Sequence, residues 1–108
     1  MKKATILTLL VFAAGMTFAT AADVKENWEK NCSKCHGSDG KGDTKMGKKL
    51  EVKDYTDAKV QASMKDEEMT KTIKEGKKEG DKTKMKAFTE LSDADVKALV
   101  AHVRGLKK

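Results

Sequence analysis

Apolar positions divide the chain into two unlike parts: 14 of the first 21 residues are apolar, in a run from Ala4 to Ala19, against 27 of the other 87. In the second part they recur at helical spacing in three places. Val24 and Trp28 lie four apart on one helix face, with Asp23 and Glu26 near the positive end of its dipole, and this helix runs into Cys32. Asp66, Glu67 and Glu68 open a second helix with Met69 and Ile73 as its apolar face and Gly76 as its stop. The third is the clearest. Ser92 caps it, Asp95 completes a capping box, and Leu91 with Val96 fits a hydrophobic staple. Val96, Leu99, Val100 and Val103 then follow at i, i+3, i+4 and i+7, and Gly105 ends the helix. The Gly- and Asp-rich stretch from Gly37 to Gly47 and the lysine-rich stretch from Lys77 to Lys86 read as loops. No segment alternates with period two and no repeat is present, so the expected fold class is all-α.

The apolar leader begins with Lys2 and Lys3 and ends in Ala19-Thr20-Ala21, small residues at the −3 and −1 positions of a cleavage site. Its 16 apolar-run positions fall short of the roughly 20 needed to span a membrane. Residues 1–21 therefore read as a secretory signal peptide cleaved after Ala21, which leaves 22–108 as one small domain and points to the periplasm. The whole chain has 23 basic and 17 acidic side chains; without the leader 21 and 17 remain, a net +4 that lends a nucleic-acid role little support. Only 12 Leu, Ile, Val or Phe remain in the 87 residues, about 14%, below the roughly 20% at which disorder threatens. A disulfide between Cys32 and Cys35 closes too short a loop to help much, so a bulky apolar guest is expected to fill the interior.

Cys32-Ser33-Lys34-Cys35-His36 has the C-x-x-C-H form of a c-type haem attachment site. Thiols at i and i+3 can add to the two vinyl groups of one porphyrin, while the next residue offers an imidazole to the iron. A thioredoxin-like pair needs a strand and an α/β pattern, which are absent. A zinc site built from Cys32, Cys35, His36 and His102 does not match the usual ligand spacings, because Cys35 and His36 are adjacent. A thioether as the second axial ligand raises the reduction potential, and Met46, Met64, Met69 and Met85 all compete for that place. Met64 and Met69 fall at or in helical segments, where core filling is the plainer role. Met46 and Met85 fall in loops.

Across nearly the whole of 22–108 the sequence resembles the small bacterial, class I monohaem cytochromes c. Trp28 stands four residues before Cys32, as an aromatic does in that family. Asp66-Glu67-Glu68 through Gly76-Lys77 resembles its D-E-E…I-x-x-G-K helix, Lys84 to Phe88 its K-M-P-A-F loop, and Leu91-Ser92-Asp93 through Val103-Arg104 its closing L-S-D…V-R helix. The resemblance implies three to five helices around one covalent haem c, with the first and last helices packed together. It also implies Cys32 and Cys35 as the thioethers, His36 as proximal ligand and Met85 as distal ligand. Three positions depart from the family pattern. Lys86 replaces the proline after the ligand methionine, which frees the backbone there. Gly47-Lys48 replaces a Gly-Pro whose carbonyl holds the proximal histidine; the Lys48 carbonyl is expected to accept that bond. His102 stands in for an aromatic on the last helix and is expected to be a packed histidine rather than an iron ligand.

With both axial positions filled by the chain there is no room for a substrate, so the expectation is a monomeric one-electron carrier and not an enzyme. Lys34, Lys41, Lys45, Lys84 and Lys86 could form a ring that steers acidic redox partners, although a solvated lysine surface is the blander reading. The alternative function keeps the haem but lets Met85 leave, opening the iron to small ligands or peroxide. Either way the haem-free chain is expected to be largely unfolded.

Overall fold

The structure, a computed structural model, describes residues 21–108, so the leader assigned to 1–21 lies outside the described residues but for its last position. Six helices and one hairpin follow in chain order: α1 Ala21–Asn31, α2 Ser33–His36, α3 Lys45–Leu50, α4 Ala58–Ser63, α5 Asp66–Glu75, β1 Lys77–Glu79, β2 Lys82–Met85 and α6 Asp93–Gly105. None of these helices is long and apolar enough to cross a membrane.

α6 packs against both α1 and α5, and the core lies along those contacts. Trp28, Cys32, Leu99 and Val103 form its centre, with Val24, Met64, Met69, Ile73 and Leu91 partly buried against it. The four apolar positions expected on the last helix, Val96, Leu99, Val100 and Val103, are all buried. Its capping box is complete: the Asp95 N–H donates to Ser92 Oγ at 3.1 Å, and the Ser92 N–H donates to Asp95 Oδ2 at 3.3 Å.

The last helix ends at Gly105, as expected, and the Leu106 N–H closes it on the Val103 carbonyl. Three local features differ from the sequence reading. The loop from Gly37 gives way at Lys45 to α3, capped by Thr44, whose hydroxyl accepts from the Gly47 N–H at 2.8 Å. Met46 therefore sits on a helix and not in a loop. Asp57 caps α4 in the same way through the Lys59 N–H. These six-residue helices are too short to display a hydrophobic period. The stretch from Lys77 to Lys86 is mostly an antiparallel hairpin pairing Lys78 with Thr83 and Glu79 with Lys82, with Gly80 at φ 58° in its turn. Most of its side chains are exposed, so no apolar alternation betrays it.

One polar network ties the far side of the fold. Gln61, 4% exposed, donates from Nε2 to the carbonyls of Tyr55 and Val103, both at 2.7 Å. Arg104 on α6 reaches the Gln61 carbonyl (2.6 Å), the Met64 carbonyl (2.7 Å) and the Asp66 carboxylate (2.8 Å). It thereby fixes α4, α5 and α6 to one another.

Candidate functional site

The cysteine motif begins where α1 ends. The Cys32 N–H still bonds to the Trp28 carbonyl (2.8 Å), and the His36 N–H to the Cys32 carbonyl (3.0 Å), so the motif continues as the short helix α2 and its side chains keep helical spacing. The following loop clamps the motif's backbone. Thr44 Oγ1 donates to the Cys35 carbonyl at 2.7 Å, the Gly42 N–H to the His36 carbonyl at 2.7 Å, and Trp28 Nε1 to the Gly37 carbonyl at 3.0 Å. Gly47 closes this clamp, since a Cβ there would collide with the carbonyl oxygens of Cys35 and Gly42.

Cys32, Cys35, His36 and Met85 all line one cavity of about 690 Å³, inside the roughly 300–1,000 Å³ range of small-molecule and cofactor sites. Both thiols are unbridged. Burial, and secondarily the neighbouring Cys35, pushes the Cys32 thiol up to about 11. Burial pulls His36 below its ordinary value and so favours the neutral imidazole, the form a metal ligand needs. The Trp28 ring lies 5.9 Å from the His36 ring, and the Tyr55 ring stacks on it at 5.1 Å and 27°. His36 Nδ1 is buried and has no hydrogen-bond partner, and the Lys48 carbonyl expected to accept from it takes the Glu51 N–H instead. Helix α3 is the cause, because it turns that carbonyl along its own axis.

Met46, Met64 and Met69 line the same cavity as Met85, so position on the wall does not by itself choose among them. Their attachments do differ. Met64 and Met69 pack into the hydrophobic core, the role expected of them. Met85 stands at the end of β2, opposite Lys77, with its backbone against Gly76 at the end of α5. The Phe88 N–H donates to the Ile73 carbonyl at 2.9 Å and pins the segment three residues on.

His102 does not line the cavity; it packs against Trp28 with ring centroids 4.9 Å apart. Among the described residues no three His, Cys, Asp or Glu side chains gather as a metal cage, so the zinc set does not assemble. Of the five lysines proposed as a ring, Lys34, Lys84 and Lys86 line the cavity, while Lys41 and Lys45 do not. Lys84 is folded inward, its side chain 15% exposed, with Nζ 3.7 Å from Glu79 and 3.5 Å from the Leu50 carbonyl. Lys86 lies over the Phe88 ring. Lys30, Lys53, Lys65 and Lys77 also border the cavity and keep its walls basic. Tyr55, Gln61 and Arg104 went unrecognised in the sequence; the V-R pair ending the last family motif was the one available hint, for Arg104.

The donor set fits a covalently held porphyrin: two thiols at i and i+3, a neutral imidazole next in sequence and a thioether share one largely apolar cavity in a chain short of core residues.

A family model for cytochrome c oxidase, cbb3-type, subunit III matches residues 19–103. Among solved structures, the KustC0563 c-type cytochrome is 38% identical with a TM-score of 0.67, covering 78% of this chain and 96% of that one. A tyrosine-to-phenylalanine mutant of KustC0563 is 37% identical with a TM-score of 0.66, covering 79% of this chain and 99% of that one. No curated protein sequence matches.

Proposed function

Because the chain belongs to the family of cytochrome c oxidase, cbb3-type, subunit III, and is thus a haem-based electron-transfer protein, we propose that it is a periplasmic one-electron carrier holding a single haem c. The haem supplies one iron that gains and loses an electron. The rest is the work of the chain. Cys32 and Cys35 form the two thioether links, His36 is the proximal ligand and Met85 the distal one. The single observation that supports this best is that both thiols, the His36 imidazole and the Met85 thioether border the same apolar-walled cavity.

The residues around these four divide the remaining tasks. Thr44, Gly42 and Trp28 hold the motif's carbonyls, so the ligand-bearing turn is set before any guest arrives. Ile73, Leu99 and Val103 exclude water, which keeps the local dielectric low and favours the less charged, reduced iron. With both axial positions taken, nothing is left to bind or turn over a substrate. The basic wall, Lys30, Lys34, Lys53 and Lys86 among it, suits acidic docking surfaces on redox partners, and the protein acts as a monomer between them. Residues 1–21 serve as the secretory leader, removed after Ala21.

A visible spectrum of the reduced, purified protein tests the haem, and Met85→Ala tests the distal ligand. Loss of the thioether-to-iron charge-transfer band in Met85→Ala is the expected result. An unchanged band overturns the choice of Met85. If the wild type lacks the band and binds carbon monoxide or turns over peroxide, the distal side is open and the carrier reading fails.

A further inference from the structure

Metal-ligating imidazoles are ordinarily oriented by a hydrogen bond from the second ring nitrogen to a carbonyl or carboxylate. His36 has no such bond: Nδ1 is buried and unpartnered. The cause lies at position 48. The Lys48 N–H donates to the Thr44 carbonyl at 2.9 Å in the first turn of α3, a bond that a proline has no N–H to make. Within α3 the Lys48 carbonyl accepts the Glu51 N–H at 3.3 Å, and no bond joins it to His36 Nδ1.

The imidazole instead has one ring stacked on it and a second, tilted ring beside it. Tyr55 stacks on it at 5.1 Å and 27°, and Trp28 lies 5.9 Å away at 35°. Both rings are fixed in turn. Trp28 is 3% exposed and tied through Nε1 to the Gly37 carbonyl. Tyr55 is held at both backbone ends, its N–H to the Gly40 carbonyl at 2.9 Å and its carbonyl by Gln61 Nε2 at 2.7 Å. Stacked rings are confined to offset geometries, so a fixed Tyr55 fixes the plane of the ring it covers.

We propose that Tyr55 is a positioning residue that sets the ring plane of His36 by stacking, with Trp28 as a second ring contact, in place of a hydrogen bond at Nδ1. The inference rests on the reading of His36 as the proximal ligand. It has an electronic consequence: an imidazole without an acceptor at Nδ1 is a weaker donor to a metal than one that has it.

The experiment uses the oxidised holoprotein and proton NMR, because the order and spread of the haem methyl resonances follow the plane of the axial imidazole. Tyr55→Phe keeps the ring and is expected to keep the wild-type pattern; Tyr55→Leu removes it and is expected to change the order or collapse the spread. A wild-type pattern in Tyr55→Leu overturns the proposal, as does an equal change in both variants, which assigns the effect to the hydroxyl. Wild-type protein labelled at histidine supplies a measurement that needs no variant to fold. A His36 Nδ1 proton that exchanges readily and lacks a hydrogen-bonded shift is expected, and a strongly bonded, protected proton overturns the proposal. If the His36 ring signals carry no paramagnetic shift at all, His36 is not the ligand and both readings fall. Shifted His36 signals with an indifferent Tyr55→Leu sink the stacking role alone.

Discussion

Gly76 and Met85 meet backbone to backbone: a Cβ on Gly76 would lie 2.6 Å from the Met85 carbonyl oxygen and 2.9 Å from the Ala87 nitrogen. Gly76 also sits at φ 79°, a conformation a side chain adopts only under strain. The end of α5 thus supports the segment that carries the proposed distal ligand, where the family's proline is missing and Lys86 stands instead. Gly76→Ala must move that segment or strain it. The expected cost is about 1–3 kcal/mol of stability, with a weakened thioether charge-transfer band in the oxidised protein. Denaturant unfolding and the far-red absorbance check the two together, and an intact band alongside wild-type stability would falsify the support role.

Lys84 provides a second hold on the same strand. Its ammonium reaches from β2 to Glu79 on β1 and to the Leu50 carbonyl at the end of α3, and all three residues border the cavity. Lys84→Met keeps the buried stem and removes the charge, which isolates the polar contacts. A loss of about 1 kcal/mol is expected, with faster displacement of Met85 by added imidazole. Stopped-flow binding measures the rate; an unaltered rate means that Lys84 does not restrain Met85.

How much of this was legible in sequence follows from what each feature leaves in the residue pattern. α6 was readable because burial of Val96, Leu99, Val100 and Val103 leaves a helical period, and its cap because Ser92 and Asp95 satisfy backbone N–H groups locally. Cys32, Cys35 and His36 stand out as a candidate site because their spacing has the form of an attachment motif, and the structure brings them to one cavity. Met85 is singled out as the proposed distal ligand only through resemblance, since all four methionines from Met46 onward border the cavity and no local pattern ranks them. The hairpin left no signal because its strands are mostly exposed. The Gln61–Arg104 network and the Tyr55–His36 stack join positions 43 and 19 residues apart, and such pairings belong to the tertiary fold.

That network carries a sizeable share of the stability. Gln61→Leu matches the shape roughly but strands the Tyr55 carbonyl, takes one of two donors from the Val103 carbonyl, which keeps the Leu106 N–H, and removes an acceptor from Arg104 Nη1. Leaving buried polar groups unpaired costs about 1–3 kcal/mol apiece when no water reaches them. A loss of about 1–3 kcal/mol is expected in urea unfolding of the holoprotein. A loss below about 1 kcal/mol would mean that water replaces the amide.

His102 gives the stability a pH dependence of definite sign. Its Nε2 is buried without a partner beside Trp28; burial lowers its pKa, Lys25 lowers it further, and Glu29 opposes them. The folded state thus resists protonation more than the unfolded chain, whose histidine titrates near 6.5. The unfolded chain binds the extra proton first, so the contribution is fully present above about pH 6.5 and is lost as pH falls below it toward the folded-state value. His102→Phe is expected to flatten the stability profile in that window. Unfolding free energies at a series of pH values compare the two proteins, and identical slopes assign the dependence to other groups.

Removal of the haem is expected to abolish the fold. Among the described residues, the buried apolar side chains are Trp28, Cys32, Phe88, Val96, Leu99, Val100 and Val103, and all but Val96 also border the cavity. Without the haem those walls face water or collapse on one another, and either removes apolar contacts that the small core cannot spare. α1, α5 and α6 all border the cavity through Trp28, Ile73 and Leu99, so its loss reaches every long helix at once. The Gln61–Arg104 network does not compensate, because it sits at the α4 side and holds the helices to one another only where their apolar faces already meet. Circular dichroism of the Cys32→Ala, Cys35→Ala double variant, isolated without haem, is expected to show little helix and no cooperative melt. A sharp thermal transition with helical content near that of the holoprotein would show that the chain packs its own core.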